Sequence, residues 1–157
     1  MQIRSIGVIH SPFDNIAEMP IQPSGAQGVA GRIEIDAELV EGLKDLEGFS
    51  HIIVLYQFHR VSKVELTVTP FLDAETHGVF STRAPTRPNP IGLSVLELKS
   101  INGNILEVNN IDILDGTPLL DIKPYVPEFD QQDNVRTGWL QKSPNGSQTM
   151  RSDKRFA

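Results

Sequence analysis

Eleven prolines and 12 glycines are spread through the 157 residues of this chain and interrupt most of it at intervals of a dozen residues or fewer. Between them lie short runs rich in β-branched side chains, the pattern of an all-β or mainly β domain. The first strand is predicted over 3–9. Residues 32–36, Arg-Ile-Glu-Ile-Asp, alternate polar and apolar as a half-buried strand does. The most apolar run, 50–58 (SHIIVLYQF), is the candidate central strand. Further strands are predicted over 63–69, 79–82, 92–101, 105–109 and 119–123. Asn102-Gly103 between two of them is a hairpin signal. Leu39, Leu43 and Leu46, spaced by four and three, predict one short helix over 38–47. Seven or so short strands with one small helix predict a small closed barrel or a strongly curved sheet. The polar, Pro/Gly-rich stretch 11–31 is too long for an idle connection, so it is expected to be functional or to meet another subunit.

Composition narrows the chemistry. The formal charge is −6, from 14 basic and 20 acidic residues, so any RNA contact must come from a local basic patch. The absence of cysteine excludes disulfides, zinc–thiolate sites, iron–sulfur clusters and a thiol nucleophile. The four histidines, His10, His51, His59 and His77, have no metal-ligand spacing, and no metal is expected. No apolar run approaches a membrane span, and the N-terminal residues lack the apolar core of a secretion signal; a cytoplasmic protein is expected. There is no P-loop and no GxSxG elbow. Gly25, Gly28 and Gly31 follow no strand and open no helix, so a Rossmann nucleotide site is unsupported.

Two stretches carry chemistry. In 78–94, GVFSTRAPTRPNPIGLS, Pro85, Pro88 and Pro90 stiffen a loop from which Arg83 and Arg87 project, with Asn89 beside them. Guanidinium forks suit a carboxylate or a phosphate, and stiffness lowers the ordering cost of binding. In 109–125, NNIDILDGTPLLDIKPY, Asp112, Asp115 and Asp121 bracket a turn, and Lys123 and Tyr125 alternate along the extended run after it. Carboxylates can bind ribose hydroxyls or act as bases, and tyrosine can stack or donate. Turn chemistry and edge-strand ion pairs would use the same residues.

RAPTRPNPIGLS followed by DILDGTPLLDIKPY resembles the TsaA-like, or TrmO, family of S-adenosylmethionine-dependent tRNA methyltransferases. IGVIHSPF, the IQPSG loop and LEGFSHIIVLYQFHR extend the resemblance over about residues 3–130. It implies a small single-sheet β-barrel with short helices, a non-Rossmann methyltransferase, over residues 1–140; by composition, with Lys142, Arg151, Lys154 and Arg155 against Asp153, residues 141–157 are expected to be a polar, basic, solvated tail or a basic arm that touches RNA. It implies a homodimer with S-adenosyl-L-methionine near the subunit interface. The implied substrate is threonylcarbamoyladenosine next to the anticodon of tRNA, methylated on N6. By position, the implied cofactor contacts are Pro23, Ser24, Gly25, His59, Arg60, Arg83, Leu93, Asn109, Asn110, Ile111 and Asp112.

A carbamoylated N6 is urea-like and must lose a proton on methylation, so a base is expected within reach. Asp115, Asp121, Tyr125 and His59 are the candidates, and the Asp115–Tyr125 region is taken as catalytic. Arg87, Asn89 and Lys123 are the candidate substrate contacts, with Arg87 or Lys123 reading the threonyl carboxylate. Two alternatives stand beside this reading: a non-catalytic S-adenosylmethionine-binding module, or a methyltransferase of the same fold with another small-molecule or RNA substrate.

Overall fold

The computed structural model describes residues 2–17, 19–142 and 146–156. Six antiparallel strands close a barrel: β1 (Gly7–His10), β2 (Ala30–Ile35), β3 (His51–Gln57), β6 (Ile91–Asn102), β7 (Ile105–Asn109) and β8 (Thr117–Pro124), in the order β1-β2-β7-β6-β3-β8. Two-residue strands β4 (Thr67–Val68) and β5 (His77–Gly78) pair separately within the connection from β3 to β6.

Alternation fixes which side chains enter. Ile52, Val54 and Tyr56 of β3 point inward, between outward-leaning Ile53 and Leu55, and meet Ile9, Ile33, Leu96, Leu106, Val108 and Leu119 from the other strands. This is the filled interior expected of a small barrel, with side chains and no channel. Gly92 on β6 has a steric reason: a Cβ there would sit inside the Tyr56 ring and against Phe58.

The antiparallel order sends three connections to one end. The β1–β2 loop (11–29), the β3–β6 connection (58–90) and the β7–β8 turn (110–116) all open on the barrel mouth. The base is closed by the 36–50 connection, whose Leu43 is buried in the core, and by the β6–β7 hairpin.

Several predicted elements differ in kind or extent. The first strand starts at Gly7 rather than Ile3. The helix expected over 38–47 is two 3-10 segments, Ala37–Leu43 and Leu46–Gly48, separated by Asp45 in the left-handed region (φ 67°). The alternation over 63–69 yields only the two residues of β4, and 79–82 is a 3-10 turn at Val79–Ser81. The hairpin turns on Gly103 (φ 62°) and Asn104, because Asn102 already pairs with Ile105.

The described residues of the C-terminal segment are mostly exposed but anchored to the body. Phe156 is 5% exposed and packs with Val68, Val79, Ala84 and Phe71. Ser152 exchanges hydrogen bonds with Met19, donating its N–H to the Met19 carbonyl at 2.8 Å and accepting from the Met19 N–H at 3.0 Å. Arg155 lies over the Phe71 ring and pairs with Asp153 at 2.7 Å. Apolar anchoring by one phenylalanine overrides the polar composition of this segment. Residues 143–145 and 157 of the expected tail lie outside the described residues.

Candidate active site

The proline-rich loop shows how the mouth is held rigid. Prolines supply no N–H, so neighbouring carbonyls need another donor. Arg87 provides it: Nη1 donates to the carbonyls of Thr82 at 2.9 Å and Val79 at 3.0 Å. The Thr86 carbonyl accepts from the Glu65 N–H, and the Pro90 carbonyl from the Phe58 N–H at 2.8 Å, which ties the loop to the exit of β3. On the other side, Asn110 adopts φ 65° and accepts the Gly28 N–H on Oδ1 at 2.8 Å. Ser11 donates through Oγ to the Ile113 carbonyl at 2.6 Å. The three connections are thus bonded to one another or to the strand ends.

They enclose a cavity of about 990 Å³. Phe58, Phe71, Phe80, Leu114 and Trp139 supply apolar wall, and the polar lining includes His59, Arg60, Arg83, Asp112 and Thr117. A roomy apolar cleft with a few convergent polar groups is the usual form of a small-molecule site. The C-terminal segment contributes wall through Ser152, Asp153 and Phe156.

A buried polar chain underlies this wall. Ser94 Oγ donates to Asp112 Oδ1 at 2.7 Å, and Tyr56 Oη lies 3.2 Å from Ser94 Oγ. A hydroxyl has one proton, so Tyr56 is the donor in the second bond. Burial pushes the Asp112 carboxyl up to about 6, against the pull of the Ser94 bond, its own backbone N–H and Arg83. Burial and the Asp112 charge hold the Tyr56 phenol far above its ordinary value, so it remains protonated. Burial first, and then Arg60, lower His59 below the usual imidazole value. Its Nδ1 lies 3.3 Å from Thr117 Oγ1.

The sequence candidates separate into three places. His59, Arg60, Arg83, Leu93 and Asp112 line the cavity, and so does Arg87. Arg83 and Arg60 are exposed, and one Arg83 donor, Nη1, rests on Gln22 Oε1 at 2.8 Å. Arg87 Nη1 is occupied by loop carbonyls, so it braces the rim from which it was expected to reach.

A second group supports the mouth from outside the lining. Pro23, Ser24 and Gly25 form a 3-10 turn beside Gln22, and Gln22 is the lining residue. Asn109 donates to Glu97 Oε2 at 3.1 Å, Asn110 holds Gly28, and Ile111 is buried in the core. Asn89 is exposed and its carbonyl accepts from Ile91 at 2.8 Å. Asp115 accepts the Ser11 N–H at 3.1 Å and lies 3.4 Å from His10 Nδ1, which makes it a clasp on the outer rim.

The third group is remote. Tyr125 donates its N–H to the His51 carbonyl and its ring meets His51 edge-on, at the base of the barrel. The length of β3, roughly 20 Å at the usual rise per residue, separates it from the mouth. Lys123 and Asp121 pair with each other at 2.7 Å and face out opposite Ile53 and Leu55. The catalytic pairing expected of Asp115 and Tyr125 therefore does not assemble: an eight-residue strand divides the two.

Sequence reasoning missed Tyr56 and Ser94. In the sequence both are ordinary strand residues, and only their inward register, with Gly92 making room, brings them under Asp112. Among the described residues no cluster able to hold a metal is found, and no helix is long and apolar enough to cross a membrane.

Residues 8–131 match the sequence family described as the tRNA-methyltransferase O N-terminal domain. A probable S-adenosyl-L-methionine-binding protein of Pyrococcus abyssi is 56% identical over 153 residues, covering 98% of this chain and 83% of that protein. The tRNA (adenine(37)-N6)-methyltransferase of Escherichia coli K12 is 35% identical, covering 91% of this chain and 65% of the enzyme. The crystal structure of TrmO from Pseudomonas aeruginosa superposes with a TM-score of 0.74 at 39% identity, covering 88% of this chain and 62% of that one. The chain thus spans less than two thirds of the enzymes it matches in these last two cases.

Proposed function

Because the chain belongs to the tRNA-methyltransferase O N-terminal domain family, we propose that it transfers a methyl group from S-adenosyl-L-methionine to N6 of threonylcarbamoyladenosine next to the anticodon of tRNA. The observation that carries this reading is the cavity on which the motif-bearing connections converge, with the buried Asp112 carboxylate facing into it. The residues present fit the cofactor. Arg83 and Arg60 offer guanidinium donors for its carboxylate, Phe58 and His59 offer ring faces for adenine, and Leu93 and Leu114 give apolar contact. Asp112 is the anion that complements its cationic sulfonium.

The bound cofactor supplies an already activated methyl group. The protein's share is to orient it, to exclude water with the apolar wall, and to hold the accepting nitrogen in line. Assembly as a homodimer is part of the proposal. Exposed Val64, Leu66 and Phe80, beside the mouth on the β3–β6 connection, are apolar side chains that such a contact would cover.

The test is incubation of the chain with methyl-labelled cofactor and tRNA carrying threonylcarbamoyladenosine, followed by nucleoside mass spectrometry. Label on N6 of that nucleoside is expected. Cofactor binding without transfer would make the chain a binding module, and label on another nucleoside would change the substrate.

A further inference from the structure

We propose that the Asp112 carboxylate takes the proton released by the accepting nitrogen, and that Ser94 and Tyr56 are positioning residues that aim it. This rests on the methyl-transfer reading above.

Geometry singles out Asp112 among the acids near the mouth. Asp153 also lines the cavity, but both its oxygens engage Arg155 at 2.7–3.0 Å. Asp115 clasps Ser11 on the rim, Asp121 pairs with Lys123 outside the barrel, and Tyr125 lies at the base. His59 lines the cavity, with Nδ1 near Thr117 and Nε2 3.4 Å from the Arg60 guanidinium. Asp112 is 9% exposed, lines the cavity and is fixed from behind by two buried hydroxyls in series.

Charge balance gives the physical reason. An isolated buried carboxylate is costly, and one beside a sulfonium is compensated. In the transfer, the nitrogen lone pair forms the new N–C bond while the C–S bond breaks and its electron pair stays on sulfur. The N–H proton passes to Asp112, which becomes a neutral acid and later returns the proton to solvent. Carboxylate plus sulfonium before the step, and acid plus thioether after it, are both neutral overall. The transfer step itself therefore creates no unbalanced buried charge. The titratable and charged groups facing Asp112 are Tyr56 from β3 and Arg83 from the proline-rich loop, and His59 and Arg60 share the cavity. Burial holds the Asp112 carboxyl above the ordinary carboxylate value, which favours proton uptake once the sulfonium charge is lost.

The experiment compares wild type, Asp112→Asn, Ser94→Ala and Tyr56→Phe in three measurements. These are single-turnover transfer at saturating cofactor across pH, cofactor affinity by calorimetry, and the Asp112 carboxyl titration by carbon-13 NMR. Asp112→Asn should slow transfer at least 100-fold, a loss at least 10-fold greater than its loss of cofactor affinity. Ser94→Ala and Tyr56→Phe should move the pH profile and the NMR titration upward together, since each weakens support of the ionised form. A smaller loss in Asp112→Asn, an equal loss of affinity and transfer, or an unmoved pH profile in Ser94→Ala overturns the assignment. An active wild type with an active Asn variant sinks this inference alone, whereas a wild type that transfers nothing sinks the methyl-transfer reading with it.

Discussion

The same six strands end in two very different surfaces. At the base, the connections seal the core: Leu43 tucks in, the hairpin closes in two residues, and Tyr125 lies against His51. At the mouth, the connections stand away from the axis and leave a cavity whose lining includes a buried acid. The difference teaches where a small barrel can tolerate polarity. A buried polar group survives only with partners, and at the mouth Tyr56, Ser94 and Asp112 partner one another. The base has no comparable chain among the described residues and packs with apolar side chains instead. The mouth therefore carries both the chemistry and the energetic cost.

That cost can be measured. Raising a carboxyl from 3.8 to about 6 means that the folded state holds its proton more tightly than the unfolded state. The stabilising share is fully present below the unfolded value and is lost as pH rises through the folded one. The shift corresponds to about 3 kcal/mol. Asp112→Asn should accordingly gain on wild type by up to about 3 kcal/mol between acid and mildly alkaline pH in urea melts. A constant difference across that range would remove the mouth's electrostatic cost from the account.

Two glycines sharpen the contrast at smaller magnitude. Gly92→Ala places a methyl group in the Tyr56 ring, and overpacking of this kind costs about 1–3 kcal/mol. It should also weaken cofactor binding, because the Tyr56 and Phe58 rings it displaces line the cavity. Gly103→Ala meets open space but keeps a φ of 62°, so it should cost about 1 kcal/mol and leave binding unchanged. Calorimetric titration of both variants checks the split. Equal effects on affinity would show that the steric demand at Gly92 is unrelated to the site.

The smallest effect is expected at Tyr125. Removal of its hydroxyl in Tyr125→Phe should change stability by no more than about 0.5 kcal/mol and leave transfer at the wild-type rate. A substantial loss of transfer would bring the base of the barrel into the chemistry and erase the distinction between the ends.

Much of the barrel was legible from local pattern. Residues 32–36 and 50–58 alternate or run apolar as inward-facing strands must, and β7 begins and ends where its pattern does. The misreadings have local causes as well. Gly42, Gly48 and left-handed Asp45 break the leucine periodicity over 38–47 into 3-10 turns. Alternation over 63–69 found a partner strand for only two residues, because β5 is that short. In the site, the motif stretches identified the proline-braced loop and the Asp112 turn. They did not show that Arg87, which lines the cavity as Arg83 does, also braces the loop through its carbonyls.

By itself, then, the sequence determined the strand-forming runs, the stiffness of the proline-rich rim and the family to which the motifs belong. These follow from residue type and from spacing along the chain. Tertiary structure decided which side chains share one space. Strand register turned Tyr56 and Ser94 inward beneath Asp112, β8 carried Tyr125 away from the mouth, and Phe156 drew a polar segment back onto the wall. The physical reason is that burial and proximity arise between residues dozens of positions apart, and only closure of the barrel fixes those distances.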